Sequence, residues 1–186
     1  MPFSNIQIYY RRVLSIVSWD HLVAITILSI VIAVLFIVRK KCSIYGAIAW
    51  GFTWFVGLSL VDLAVLIRFI NGVTHITRID LTAEYERLLH GGEIRWAEML
   101  ANVAVFIPFG FFLSEFLAET KRFQCYRIGL VALLGLGLSL CIESLQLFFR
   151  VGWFEITDLA LNTVGAVIGG GISFVGRKVI EGGRFL

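Results

Sequence analysis

Charge is what this 186-residue chain has least of: Asp, Glu, Lys and Arg make up 16% of it, against 59% hydrophobic residues. Soluble domains carry about 25% charged residues, and a mean hydropathy of +0.89 excludes an ordinary soluble enzyme. The formal charge of +3 is dispersed, with no basic cluster interleaved with aromatics, so no nucleic-acid partner is expected. Cysteine is scarce too: Cys42, Cys125 and Cys141 are too far apart for a zinc pattern or a disulfide framework. Only 2 prolines stand against 18 glycines, a balance that favours close helix contact over broken helices. The Met1 end has no short apolar core followed by a small-residue cleavage site, so a removable signal peptide is not expected.

What is abundant is long apolar runs, each ended by charge. The pattern predicts an all-α membrane protein, a bundle of about five transmembrane helices, over 21–38, 44–70, 99–117, 128–149 and 158–175. Residues 1–43 read as an interfacial segment with one extra helix, 44–176 as a four-helix membrane domain and 177–186 as a basic cytoplasmic tail. The connection from Asn71 to Glu98 is polar. Within it Thr82 can cap a short helix with an apolar stripe of Tyr85, Leu88 and Leu89, stopped by Gly91 and Gly92. Loop charge sets the orientation: Arg39, Lys40, Lys41, Lys121, Arg122, Arg127, Arg177, Lys178 and Arg184 fall on one side, which predicts N-terminus outside and C-terminus inside a bacterial cytoplasmic membrane.

The apolar runs are interrupted by a few polar groups, which are expensive in lipid. Gly135, Ser139, Glu143, Gln146 and Arg150 share one helical face, and Asp158, Asn162, Gly165 and Gly169 share another. The turn between them is short, so the two helices are expected to be an antiparallel pair. With this orientation Asn102, Glu143, Gln146, Asp158 and Asn162 all lie in one outer layer. Asp62 is expected to line its floor, with Arg68 above.

Three blocks carry a family resemblance: NVAVFIPFG with Asn102, Phe106, Pro108 and Gly110; SLCIESLQLF with Glu143 and Gln146; and DLALNTVG with Asp158, Asn162 and Gly165. In order and interval they resemble the signature blocks of the VanZ-like family, over roughly Ser59 to Phe174. The resemblance implies a four-span core, so that 21–38 is an added helix, and a link to resistance against the glycopeptide teicoplanin in Gram-positive bacteria. It implies no settled reaction.

The residues themselves leave three readings open. Glu143 and Asp158 are candidate catalytic groups, as general acid and base with environments split by Arg150. Alternatively Asn102, Glu143, Gln146, Arg150, Asp158 and Asn162 bind a ligand: a membrane lipid, a lipid-linked cell-wall precursor or a lipoglycopeptide. In the third reading the same groups only lock helices together. Phe106, Pro108, Gly110, Gly165 and Gly169 are expected to be structural, shaping one helix and its contact with another. The spans hold no Ser–His pair of rhomboid type, no histidine set of phosphatidic-acid phosphatase type and no His-Glu-x-x-His motif. His75 and His90, near Glu86 and Glu93, match no metal spacing, so neither metal nor cofactor is expected.

Overall fold

The computed structural model describes residues 19–39, 43–70, 81–90, 92–120 and 126–182. The expected interfacial segment before Trp19, His75, Gly91 and residues 183–186 of the expected tail lie outside them. Six helices account for nearly all of the described chain: α1 (Trp19–Val38), α2 (Ile44–Val61), α3 (Leu81–His90), α4 (Gly92–Ala118), α5 (Arg127–Phe149) and α6 (Ile156–Gly182). α2 continues through a π-helical stretch, Asp62–Leu66, into a last turn, Ile67–Ile70. Five of the helices, all but α3, are long and apolar enough to cross a membrane.

Residue pairing shows an up-and-down bundle. Gly165 meets Val103 and Gly169 meets Ile107, so α4 and α6 run parallel. Asn162 meets Ser139 and Ala166 meets Gly135, so α5 and α6 are the expected antiparallel pair. Phe52 stacks on Phe112 and Tyr45 reaches Glu115, so α2 opposes α4. α1 lies outermost against α2, where Gly51 admits Ala33 and the Ser29 carbonyl. Its outward residues, among them Val23, Ile27, Ile30, Val31 and Val34, are exposed, as suits a face turned to lipid.

The most extensive contact joins α4 and α6, and glycine makes it possible. A Cβ on Gly110 would run into the Ala166 carbonyl, one on Gly165 into the Val103 carbonyl and one on Gly169 into the Ile107 carbonyl. Small residues let membrane helices approach until their backbones touch, replacing a hydrophobic drive that lipid cannot supply. Ala166, fully buried, is pinched between Gly110 of α4 and Gly135 of α5. Around it pack Phe106, Phe109, Leu113, Val131 and Ile142.

Helix ends differ from the sequence expectation in three places. α4 starts at Gly92, not Met99, so Arg95 and Glu98 ride on a helix instead of a loop. α6 continues past Val175 to Gly182, which draws Arg177 out of the expected tail and into the bundle. Hydropathy marks where a helix meets lipid, not where its backbone bonds stop. Thr82 lies inside α3 rather than at its cap, and Gly92, at φ +59°, opens α4. Tyr85 and Leu89 of α3 point outward and exposed while Glu84 is buried, so the helix presents its charge to the bundle.

Candidate functional site

Polar groups gather at both ends of the bundle, and the two gatherings differ in how completely they are satisfied. At the end formed by the start of α2 and the ends of α4 and α6, Glu115 is buried and accepts from Tyr45 Oη at 2.6 Å, Ser173 Oγ at 2.6 Å and Arg177 Nε at 2.8 Å. Arg177 also reaches Glu119 at 3.0 Å, and Ser43 Oγ, which caps α2, donates to Glu119 at 2.5 Å. Outside the spans, the Ser43 hydroxyl and then the Arg177 guanidinium hold the Glu119 carboxyl below its usual range. Ser114 and Ser173 complete the set. No polar side-chain atom of this group is buried without a hydrogen-bond partner. Three helices meet here through a saturated network, and saturation is what a structural lock needs.

The opposite end is built differently. Glu143, 2% exposed on α5, accepts from the backbone N–H of Glu155 at 3.0 Å. Glu155 lies in the short turn between α5 and α6 and takes Arg95 Nη2 of α4 at 2.7 Å. Arg95, itself 6% exposed, holds Glu98 at 3.4 Å with its other terminal nitrogen and stands 3.9 Å from Asp158. Asp158, in the first turn of α6, has Asn102 of α4 as its amide neighbour. One turn further along α6, Asn162 donates to Ser139 Oγ of α5 at 2.9 Å. From α3, Glu84 accepts the N–H groups of Thr157 at 2.6 Å and Ile156 at 3.3 Å, so a carboxylate caps α6, where orphan donors and the helix dipole favour negative charge.

Saturation fails at this end. Asp158 Oδ1 and Asn162 Oδ1 are buried without a hydrogen-bond donor, and Arg95 Nε without an acceptor. Buried polar atoms are almost always paired, so each orphan marks a place where a partner belongs.

Of the residues singled out from sequence, the structure brings Asn102, Glu143, Asp158 and Asn162 together across α4, α5 and α6. Gln146 turns the other way: its Nε2 donates to the Ala64 carbonyl in the π-helical stretch at 3.3 Å, and Gly152 leaves room for its side chain. Arg150 stands exposed at the C-cap of α5, left-handed at φ 56°, so the guanidinium expected beside the carboxylates comes from Arg95 instead. Asp62 is buried, and Arg68 lies in electrostatic range of Glu143. Asp62 pairs with His21 Nδ1 of α1 at 2.8 Å, because the π turn re-aims α2 just there. Phe106 is buried against Gly165, and Pro108 sits exposed inside α4, where it leaves the carbonyl one turn back without its helical donor. Among the described residues no group of three or more His, Cys, Asp or Glu side chains is placed to hold a metal ion.

Arg95, Glu84 and Glu155 were not singled out from the sequence. Arg95 and Glu98 are spaced i, i+3, a usable signal had α4 been drawn to Gly92. Glu115, Glu119 and Ser173 were not singled out either; Glu115 and Glu119, at i, i+4, and Ser173 and Arg177, at the same interval, were the usable signal for the other network.

The sequence model of the VanZ/LLP1 family matches residues 26–177, starting inside α1. Over 72 residues the chain is 39% identical to Protein VanZ of Enterococcus faecium, a match spanning 39% of this chain and 41% of that protein. No solved structure matches.

Proposed function

Since the chain belongs to the VanZ/LLP1 family and is an integral membrane protein with five candidate spans, we propose that it is a cell-envelope protein. In this reading it binds the polar head of a membrane amphiphile at the Glu143–Asp158 end of the bundle. The head would belong to a lipid, a lipid-linked wall precursor or a lipoglycopeptide, and occupancy would alter susceptibility to glycopeptides such as teicoplanin. The loop charges support placing this end at the outer face of a bacterial cytoplasmic membrane.

The observation that carries the reading is the contrast between the two ends. Glu115 and its partners are complete, as a network that only joins helices should be, whereas the Asp158 end holds buried acceptors with nothing to accept. An amphiphile fits that position, its head meeting the polar atoms while its tail stays in the bilayer.

Glu143→Gln keeps the shape of the side chain and removes its charge. Native mass spectrometry of the purified protein with host lipid extract should show a retained envelope lipid in the wild type and about tenfold less in the variant, the scale of a lost charge-assisted hydrogen bond. Teicoplanin susceptibility of a host expressing the variant should return toward that of the empty host. Full lipid retention and full phenotype in a protein that accumulates normally would reduce the cluster to a helix lock and exclude Glu143 as a catalytic base.

A further inference from the structure

The proposed head-binding site has a definite electrostatic character, which narrows what it can hold. Its carboxylates are Glu84, Glu98, Glu143, Glu155 and Asp158. Glu84 is committed to the N–H groups at the start of α6, and Glu98 and Glu155 share Arg95, the buried guanidinium of the cluster among the described residues. Arg68, in electrostatic range of Glu143, stands on the exposed surface of the bundle. That leaves Glu143 with one backbone N–H and Asp158 with an amide neighbour and a distant guanidinium. Carboxyl groups therefore outnumber buried cations inside the cluster among the described residues, where screening by water is weak.

The orphaned atoms point the same way, and they are an independent observation. Asn162 is 5% exposed, and its Nδ2 is tied to Ser139, one turn from Glu143 on α5. The oxygen of that amide has no donor, and neither has Asp158 Oδ1, one turn away on the same face of α6. Amides alone would serve a neutral head equally well, but two buried oxygens without a hydrogen-bond donor, beside carboxyl groups that outnumber the buried cations, call for a group that brings several N–H donors and a positive charge. A phosphate or carboxylate group brings no N–H donor and no positive charge to these oxygens.

We infer that the Asp158–Asn162–Glu143 cluster takes a primary ammonium group, the cationic amine of a lipid head or of an amine-bearing envelope amphiphile. The inference rests on the proposal that this end binds a head at all. An ammonium has three donors and no acceptor, which matches in number the Asp158 Oδ1 and Asn162 Oδ1 atoms without a donor and the Glu143 carboxyl that holds a single backbone N–H. Arg95 Nε, an orphaned donor of the cluster, is left for an oxygen elsewhere on the same molecule.

The test uses two probes that differ only at the amine. The full-length protein in detergent is mixed with phosphatidylethanolamine or with N-acetyl phosphatidylethanolamine of the same chains, and retained lipid is read by native mass spectrometry. Phosphatidylethanolamine should be retained about tenfold over its acetylated form, the difference between charge-assisted and neutral hydrogen bonds. Asp158→Asn, which preserves shape, should bring the ratio close to one, and Asn162→Ala should lower it in the same direction. If Asn162→Ala does not accumulate, Asp158→Asn alone decides. Equal retention of the two lipids by wild type, with both lost on Glu143→Gln, would overturn the ammonium assignment and leave the head-binding reading standing. Retention of neither, or retention unchanged by every substitution, would overturn both.

Discussion

Gly169→Ala asks whether backbone contact between α4 and α6 holds the bundle together. A methyl group at 169 would overlap the Ile107 carbonyl oxygen and stand 2.8 Å from the Phe111 nitrogen, where ordinary contact begins at 3.4 Å. The atoms it meets belong to backbone, so no rotamer change relieves the overlap, and the helices must move apart by several tenths of an ångström. Overpacking of this kind costs about 1–3 kcal/mol, and separation also forfeits dispersion contacts along the shared surface. A methyl group added at Gly171, on the same helix, would have nothing within 4 Å of it, so Gly171→Ala should change stability by less than about 0.5 kcal/mol. Unfolding in mixed micelles by titration with SDS, followed by tryptophan fluorescence, measures both. The reasoning is refuted if the two substitutions behave alike, because they differ only in what the added carbon touches.

Three further outcomes are expected. Removing the cap with Glu84→Ala should destabilise the start of α6 by about 1 kcal/mol, seen as faster amide exchange at Ile156 and Thr157; unchanged exchange would mean that water caps the helix as well. Glu119 is held below the usual carboxylate range, so its stabilising share is complete above the unfolded value of about 4.3 and is lost as the pH falls through the lower folded value. Glu119→Gln should therefore flatten the acid limb of the stability profile, and an identical limb would show that the contact with Ser43 and Arg177 contributes nothing. Finally, a reporter active only in the cytoplasm and fused after Leu186 should be active; silence there would invert the orientation read from loop charge.

The spans were legible because apolar runs of membrane length have few other uses, and the antiparallel pairing of α5 and α6 followed from their short turn. The glycines were legible for a related reason: Gly110, Gly165 and Gly169 recur on helix faces, and faces are what periodicity reports. Arg95 was hidden because a charged first turn looks like loop when judged by hydropathy. Glu155 lies in a turn, where no periodicity exists to point its backbone N–H toward Glu143. The split between Gln146, which serves α2, and Glu143, which faces the cluster, could not be read either, since the two are neighbours on one face and only the partner helix tells them apart.

The π-helical stretch has a consequence for how α2 is mapped. Its bonds close over one residue more than those of an α-helix, so a helical wheel drawn from Ile44 loses phase at Asp62 and must be restarted beyond Leu66. Arg68 and Phe69 consequently belong to a separate angular frame from Trp50 and Gly57. Two contacts pin the stretch where the frames meet, His21 on Asp62 and Gln146 on Ala64. A sequence comparison that allows no gap within Asp62–Leu66 would thus align the two halves of α2 on different faces, and a single-residue insertion or deletion there is a rotation of one half against the other rather than a change in length.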